Sequence, residues 1–163
     1  MDKEIIAGFG EVMLRLAPEG KKRLAQVLPG TLQATFGGGE ANVCASLAML
    51  GAKSRYLTVL PDNPIAQAFA TEQRGFGTDV SKILWTKTGR MGVYYAEHGA
   101  AQRGSNVIYD RAHLSSSRQV PAVVEVDTPS CGIPIGTVSA SDDVGIVIAV
   151  KVIHGLSRIL EIV

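Results

Sequence analysis

The stretch that most constrains this chain is Gly37-Gly38-Gly39-Glu40-Ala41-Asn42-Val43, three glycines running directly into a helical pattern. Glycines in series allow positive φ and let another backbone or a ligand come close to the main chain. Val43, Leu47 and Leu50 recur at i, i+4 and i+7, and Gly51 stands where a helix C-terminal cap belongs. The first-turn amides of such a helix have no partner within it and can donate to whatever lies over the glycines. No Lys-Ser/Thr pair follows, so this is not a Walker-type phosphate loop. Glu40 favours the helix dipole but repels a phosphate, which leaves a neutral, hydroxyl-rich ligand as the better fit. Taken by itself, the stretch also reads as an ordinary strand-to-helix turn.

The rest of the chain surrounds this turn with short apolar runs. Residues 5–9, closed by Gly10, suit a buried parallel strand. Residues 11–16 partly alternate, and 24–28 and 32–36 are further short strand candidates around Pro29-Gly30. Residues 52–60 predict a strand that ends at Pro61-Asp62-Asn63-Pro64, where Asn63 is an N-cap and Pro64 the first helical residue. Ile65, Ala68, Phe69 and Phe76 are expected to share one face of that second helix, which ends near Gly75-Gly77. Residues 80–85 predict another strand, and 91–97 and 106–111 two β-rich runs. Strand, helix, strand, helix, strand is an α/β pattern with right-handed crossovers onto a parallel sheet. The β-rich insertions at 11–36 and 91–111 do not belong between buried parallel strands. They are expected to form a separate small sheet that projects as a lid.

Composition narrows the function classes. The 163 residues are 46% hydrophobic and 19% charged with a net charge of +1, which describes one globular domain and no basic footprint for nucleic acid. The charged amino terminus lacks a signal-peptide core and no apolar run reaches membrane-spanning length, so neither a membrane nor secretion is expected and the cytoplasm is the default. Cys44 reads as a buried thiol on the first helix. His98, His113 and His154 have no ligand spacing, and no metal site is expected from them.

Four segments in unbroken order carry a resemblance to a known family. They are Gly10-Glu11-Val12-Met13-Leu14-Arg15-Leu16, the glycine turn with Ala41-Asn42-Val43, Leu60-Pro61-Asp62-Asn63-Pro64, and Val107-Ile108-Tyr109-Asp110-Arg111-Ala112-His113. Over about residues 4–113 the chain resembles the amino-terminal half of a 2-keto-3-deoxygluconate kinase, one of the ribokinase-type (PfkB) carbohydrate kinases. The resemblance implies a partial ribokinase-like parallel sheet with flanking helices, a β lid over a sugar, and a homo-oligomer formed through that lid. It implies that Gly38 contacts a sugar hydroxyl through its backbone, that Asn42 bonds the sugar, and that Tyr94 lies over it. Tyr109 and Arg111 match the pair that hold a sugar acid. The chemistry agrees, because arginine presents a rigid fork of donors to a carboxylate and tyrosine an apolar body with a polar tip. In isolation Tyr94 would read as a strand-face residue and Arg111 as a solvated charge.

From Leu114 onward the resemblance ends. The family continues with a Gly-Ala-Gly-Asp motif whose amides hold the transferring phosphoryl group and whose aspartate is the base. Here Val126-Asp127-Thr128 is followed by Pro129-Ser130-Cys131-Gly132, without that motif. The expected division is a sugar-binding half at 1–113 and an unassigned Val/Ile-rich tail at 114–163. ATP and Mg²⁺ are implied for complete relatives, but no bound cofactor is expected for this chain. The expectation is therefore a truncated or altered sugar-acid kinase that is inactive alone. The alternative is a non-catalytic binding or assembly module that uses its lid and tail strands.

Overall fold

A computed structural model describes residues 5–114 and the backbone of residues 151–153. The first strand, β1 (Ile5–Phe9), leads through Gly10 into β2 (Met13–Ala17), a helical turn α1 (Leu24–Val27) and β3 (Gln33–Gly37). The glycine turn enters α2 (Gly39–Met49), followed by β4 (Lys53–Leu57), β5 (Val59–Pro61) and α3 (Pro64–Phe76). After these come β6 (Leu84–Thr86), β7 (Gly92–Glu97), β8 (Asn106–Asp110) and β9 (Lys151–Ile153).

The strands separate into a core and a lid. In the core, β1 runs parallel to β4, and β5 runs parallel to β6 after a one-residue break at Thr58. The other edge of β1 pairs antiparallel with β9, Ile5 opposite Ile153. The lid is a four-stranded sheet in the order β3-β2-β7-β8, in which only β2 and β7 are parallel. The two insertions expected to leave the main sheet thus do so, and they join each other. The chain is an α/β fold with a small β lid.

Local signals set the helix ends as expected. The Asn63 side chain accepts a hydrogen bond from the Ala66 amide at 3.0 Å, with Pro64 at the first position. Gly77 closes α3 at φ 91°, and Gly51 follows α2 at φ 84°, both in the left-handed region.

Which face each helix buries differs from the expectation. In α2 the buried residues are Glu40, Ala41, Cys44 and Ala45, whereas Val43 is exposed and Leu50 is 84% exposed. The reason is spacing: α2 lies so close to β1 that a methyl group on Gly8 would meet Cys44 Sγ at 2.6 Å. Only small side chains fit that gap. In α3 the buried residues are Ala66, Phe69, Ala70 and Gln73, while Ile65 and Phe76 from the expected stripe are partly exposed.

Three strand expectations are also corrected. Residues 24–27 form a helical turn, because the Gln26 side chain accepts from the Arg23 amide and Glu97 accepts from the Leu24 amide, each at 2.8 Å. The strand expected at 80–85 is delayed to β6, because the Asp79 carboxylate accepts from the Ser81 amide at 2.9 Å and turns the chain first. The strand expected at 52–60 breaks at Thr58. Of the Val/Ile-rich tail's runs of high strand propensity, at 120–126 and 144–153, only 151–153 lies among the described residues, as β9.

Phe69 is the hinge pin of the packing. It is 1% exposed and meets Phe36 of the lid at 5.4 Å and Tyr56 of the core at 5.7 Å between ring centroids, both edge-on. Leu14 of β2 joins Phe36 against the same cluster. Lid and core therefore share one apolar seam.

Candidate functional site

Register alone assembles the lid's polar face. Across the lid, Arg15 pairs with Tyr94 and Tyr94 with Tyr109, so these side chains stand in one row on one face of the sheet. The neighbouring row, Leu16, Tyr95 and Ile108, points to the other face. The Tyr94 and Tyr109 rings lie 5.9 Å apart and tilted by 33°. Two residues further along the chain, the Arg111 guanidinium stacks over the Tyr109 ring, 5.9 Å from its centroid. Burial pushes the Tyr94 phenol above its ordinary pKa, with Tyr109 adding to the rise and Arg15 opposing it. Tyr94 is therefore a neutral donor at neutral pH.

The glycine turn meets this face at Gly37. A side chain there would collide with the Tyr94 hydroxyl, so the tyrosine tip rests directly on the turn. Gly38 is extended, at φ −173°, and a methyl group on it would come within 2.7 Å of the Glu11 carbonyl oxygen. None of the three glycines takes positive φ. Gly37 and Gly38 are required by close approach rather than by backbone conformation, and around Gly39 the space is open. Below them is a cleft of about 210 Å³ lined by Gly38, Asn42, Phe36, Phe69, Gln73 and Phe76, among others. Glu40 turns away from it and is buried against β1 near Gly10, so its charge does not face the cleft.

Of the five residues singled out in the sequence, Tyr94, Tyr109 and Arg111 come together on the lid, and Gly38 and Asn42 line the cleft. Gly37, beneath the Tyr94 hydroxyl, belongs to both groups.

Sequence reasoning missed Glu11. It stands just past the carboxyl end of β1, and its Oε2 accepts from Nη2 of Arg111, an ion pair between residues 100 apart in the chain. Its other oxygen, Oε1, is buried without a hydrogen-bond partner among the described residues. Leaving such an oxygen unpaired costs about 1–3 kcal/mol or more. Position was the available signal, since ligands of open α/β sheets bind beyond the carboxyl ends of strands. Gln73 was missed too: it lines the cleft with its Oε1 likewise buried and unpartnered among the described residues. It sits one turn after Phe69 on the buried face of α3, a face assigned to other residues by periodicity.

Among the described residues no helix is long and apolar enough to cross a membrane, and no group of three or more His, Cys, Asp or Glu side chains could hold a metal ion.

Comparison with known proteins supplies the wider frame. A 2-dehydro-3-deoxygalactonokinase from Haloferax volcanii is 35% identical over 127 residues, which is 78% of this chain and 39% of that one. The solved structure of a 2-dehydro-3-deoxygluconokinase from Thermotoga maritima matches with a TM-score of 0.65 and 43% identity, covering 70% of this chain and 34% of that one. A PfkB family carbohydrate kinase from Listeria grayi matches with a TM-score of 0.65 and 32% identity over 72% of this chain and 35% of the other. The chain therefore spans well under half the length of these relatives. The family description "pfkB family carbohydrate kinase" fits residues 4–128, a span that takes in the glycine turn, both long helices and the whole lid. On that match, this chain belongs to the PfkB family of carbohydrate kinases.

Proposed function

We propose that residues 1–113 are the sugar-binding half of a kinase acting on a keto-deoxy sugar acid, with 114–163 a separate segment of unassigned role. The observation that carries this reading is the row of Tyr94 and Tyr109 continued by Arg111, joined through Gly37 to the cleft below. Arg111 supplies donors for a carboxylate, which a neutral sugar lacks. Tyr94 and Tyr109 offer flat apolar faces for a sugar ring and hydroxyls for its oxygens. Asn42 and the Gly38 backbone bond hydroxyls from the opposite side, at the N-terminus of α2. The names of the relatives, kinases of two 2-keto-3-deoxy sugar acids, support the same substrate class.

The resemblance implies ATP with Mg²⁺ as the phosphoryl donor of the complete kinase, and the glycine turn of this chain lacks a phosphate-binding lysine. The part of the described residues is to bind and orient the acceptor. Purified alone, the 163-residue chain is expected to show no ATP turnover with 2-keto-3-deoxygluconate. Turnover free of host kinase would overturn that expectation. Self-association through the lid is part of the same reading, since β8 leaves Val107, Ile108 and Tyr109 exposed on its two faces. Light scattering that found only monomers would remove it.

The direct test of the site is Arg111→Ala, followed by calorimetry with 2-keto-3-deoxygluconate and with the matching neutral sugar. Loss of a charge-assisted contact is expected to cost the acid about 1.5–3 kcal/mol of binding, and the neutral sugar far less. Equal losses for both would show that Arg111 does not read the carboxylate.

A further inference from the structure

We propose that Glu11 is a positioning residue that holds the Arg111 guanidinium in its binding orientation before a sugar acid arrives. The proposal rests on the reading of Arg111 given above. Arg111 follows the exposed edge strand of the lid, where a long side chain with much rotamer freedom would otherwise swing in solvent. Two contacts restrain it: the face of Tyr109 and the Oε2 of Glu11.

Glu11 stands at the junction of core and lid, and its backbone is held from the core side. The Gly10 carbonyl before it accepts from the Tyr56 hydroxyl at 2.8 Å, and the Gly10 amide donates to Leu57 at 3.3 Å. Its own carbonyl packs against Gly38. The remaining carboxylate oxygen, Oε1, is buried beside Gly92, where it reaches the position a methyl group would take at 3.1 Å. The backbone before Glu11 is thus held by the core while its carboxylate packs against Gly92, the first residue of β7, and Arg111 comes to a fixed point at the junction of the two.

Two effects of Glu11 on an incoming anion oppose each other. It cancels part of the arginine charge, which would weaken binding, and it removes rotamer freedom in advance, which strengthens it. The two side chains are 26% and 20% exposed, so solvent screens the pair only in part; the positioning role requires that the gain from orientation exceed the charge cancelled. The recorded contact to Glu11 uses one guanidinium nitrogen, Nη2, and an arginine fork carries five N–H donors. The fork thus keeps donors for a carboxylate.

The experiment is calorimetry of the full 163-residue chain with 2-keto-3-deoxygluconate and with the matching neutral sugar. Glu11→Ala is expected to weaken the acid about five- to tenfold, the scale of ordering one long side chain, and to leave the neutral sugar within about twofold. Glu11→Gln keeps an acceptor oxygen at the same reach and is expected to restore most of the loss, which a merely destabilised chain would not do. If circular dichroism shows that Glu11→Ala has not folded, Glu11→Asp replaces it. Aspartate keeps the charge but falls one methylene short of Arg111, and the same selective loss is expected. Acid binding unchanged or tightened in Glu11→Ala or Glu11→Asp, while Arg111→Ala still loses the acid selectively, overturns the positioning role alone. No selective loss in Arg111→Ala, or no acid binding by the unaltered chain, overturns the site reading and this inference with it.

Discussion

The core and the lid are woven from the same 110 residues or so, yet they are built on opposite rules. The core pairs β1 with β4 and β5 with β6 in parallel, is covered by α2 and α3, and centres on Tyr56, Leu60 and Phe69, all nearly inaccessible, with β9 alone antiparallel among its described strands. The lid has mixed pairing, and every residue of its edge strand β8 is exposed. Packing is thus densest in the core, and the lid residue Tyr109, proposed to meet a sugar acid, stands where packing contributes least. The two regions meet at the apolar seam, where Phe36 and Leu14 of the lid pack against the Phe69 cluster, and at the Arg111–Glu11 ion pair.

The most damaging test of this division is Phe69→Ala. Loss of a buried phenylalanine is expected to cost about 3–5 kcal/mol. Because its ring touches both sheets, urea unfolding followed at Trp85 and at a probe on the lid should show both transitions moving together. A lid probe left unmoved would mean that the lid stands independently.

Gly37→Ala comes next. The added methyl group meets the Tyr94 hydroxyl, and such overpacking typically costs about 1–3 kcal/mol. The tip of a tyrosine is easier to displace than a core residue, so most of the effect should fall on sugar-acid binding. Adding Tyr94→Phe, which removes the clashing oxygen, should recover stability in the double variant. If thermal melts show no recovery, the contact at Gly37 is not the cause.

A smaller effect concerns acid. Burial pushes the Asp79 carboxyl up, but hydrogen bonds from Ser81 and the Arg55 ion pair outweigh it, and its pKa lies below the ordinary value. A carboxylate depressed in the folded state stabilises above its unfolded pKa, about 3.9, and loses that contribution as pH falls through the lower folded value. Asp79→Asn keeps an acceptor for the Ser81 amide and should flatten the urea midpoint between pH 4 and pH 2 relative to the parent chain. An unchanged acid limb would assign it to other carboxylates.

The smallest expected change in stability belongs to the lid. Tyr109 is 59% exposed, so Tyr109→Ala should shift stability by less than about 0.5 kcal/mol while weakening sugar-acid binding. A large loss of stability would show that the lid carries more of the fold than its exposure indicates.

What could be read from the chain beforehand follows the same division. Caps were legible because they are local: Asn63 with Pro64, Gly51 and Gly77 act within one turn of the residues they terminate. Separation of lid from core was legible because alternating β runs do not suit a buried parallel sheet. The buried faces of the helices were not. Large apolar residues at helical spacing, Val43 and Leu50, suggested the wrong face, while α2 buries Glu40, Ala41, Cys44 and Ala45 and approaches Gly8 closely enough for Cys44 and Glu40 to fill the gap. Of the candidate site, Gly38, Asn42, Tyr94, Tyr109 and Arg111 were found through resemblance. Glu11 was not, because its partner lies 100 residues away and no periodicity reports on such a distance.

The parallel pairing of β2 with β7 has a consequence for how the chain must come together in time. Met13 lies opposite Gly92, with α2, α3 and most of the core sheet in between. The β2–β3 pair can form from residues 13–37 alone, and β1 can meet β4 once α2 has emerged. The free side of β2 must wait until residue 92 and its successors arrive, and closing so long a loop yields nothing until the strand docks. In a chain made from its amino terminus, the edge of β2 stays unpaired until β7 has been made, a period in which unpaired strand edges invite wrong partners. The lid, begun at residue 13, is therefore closed only when β7 and β8 arrive.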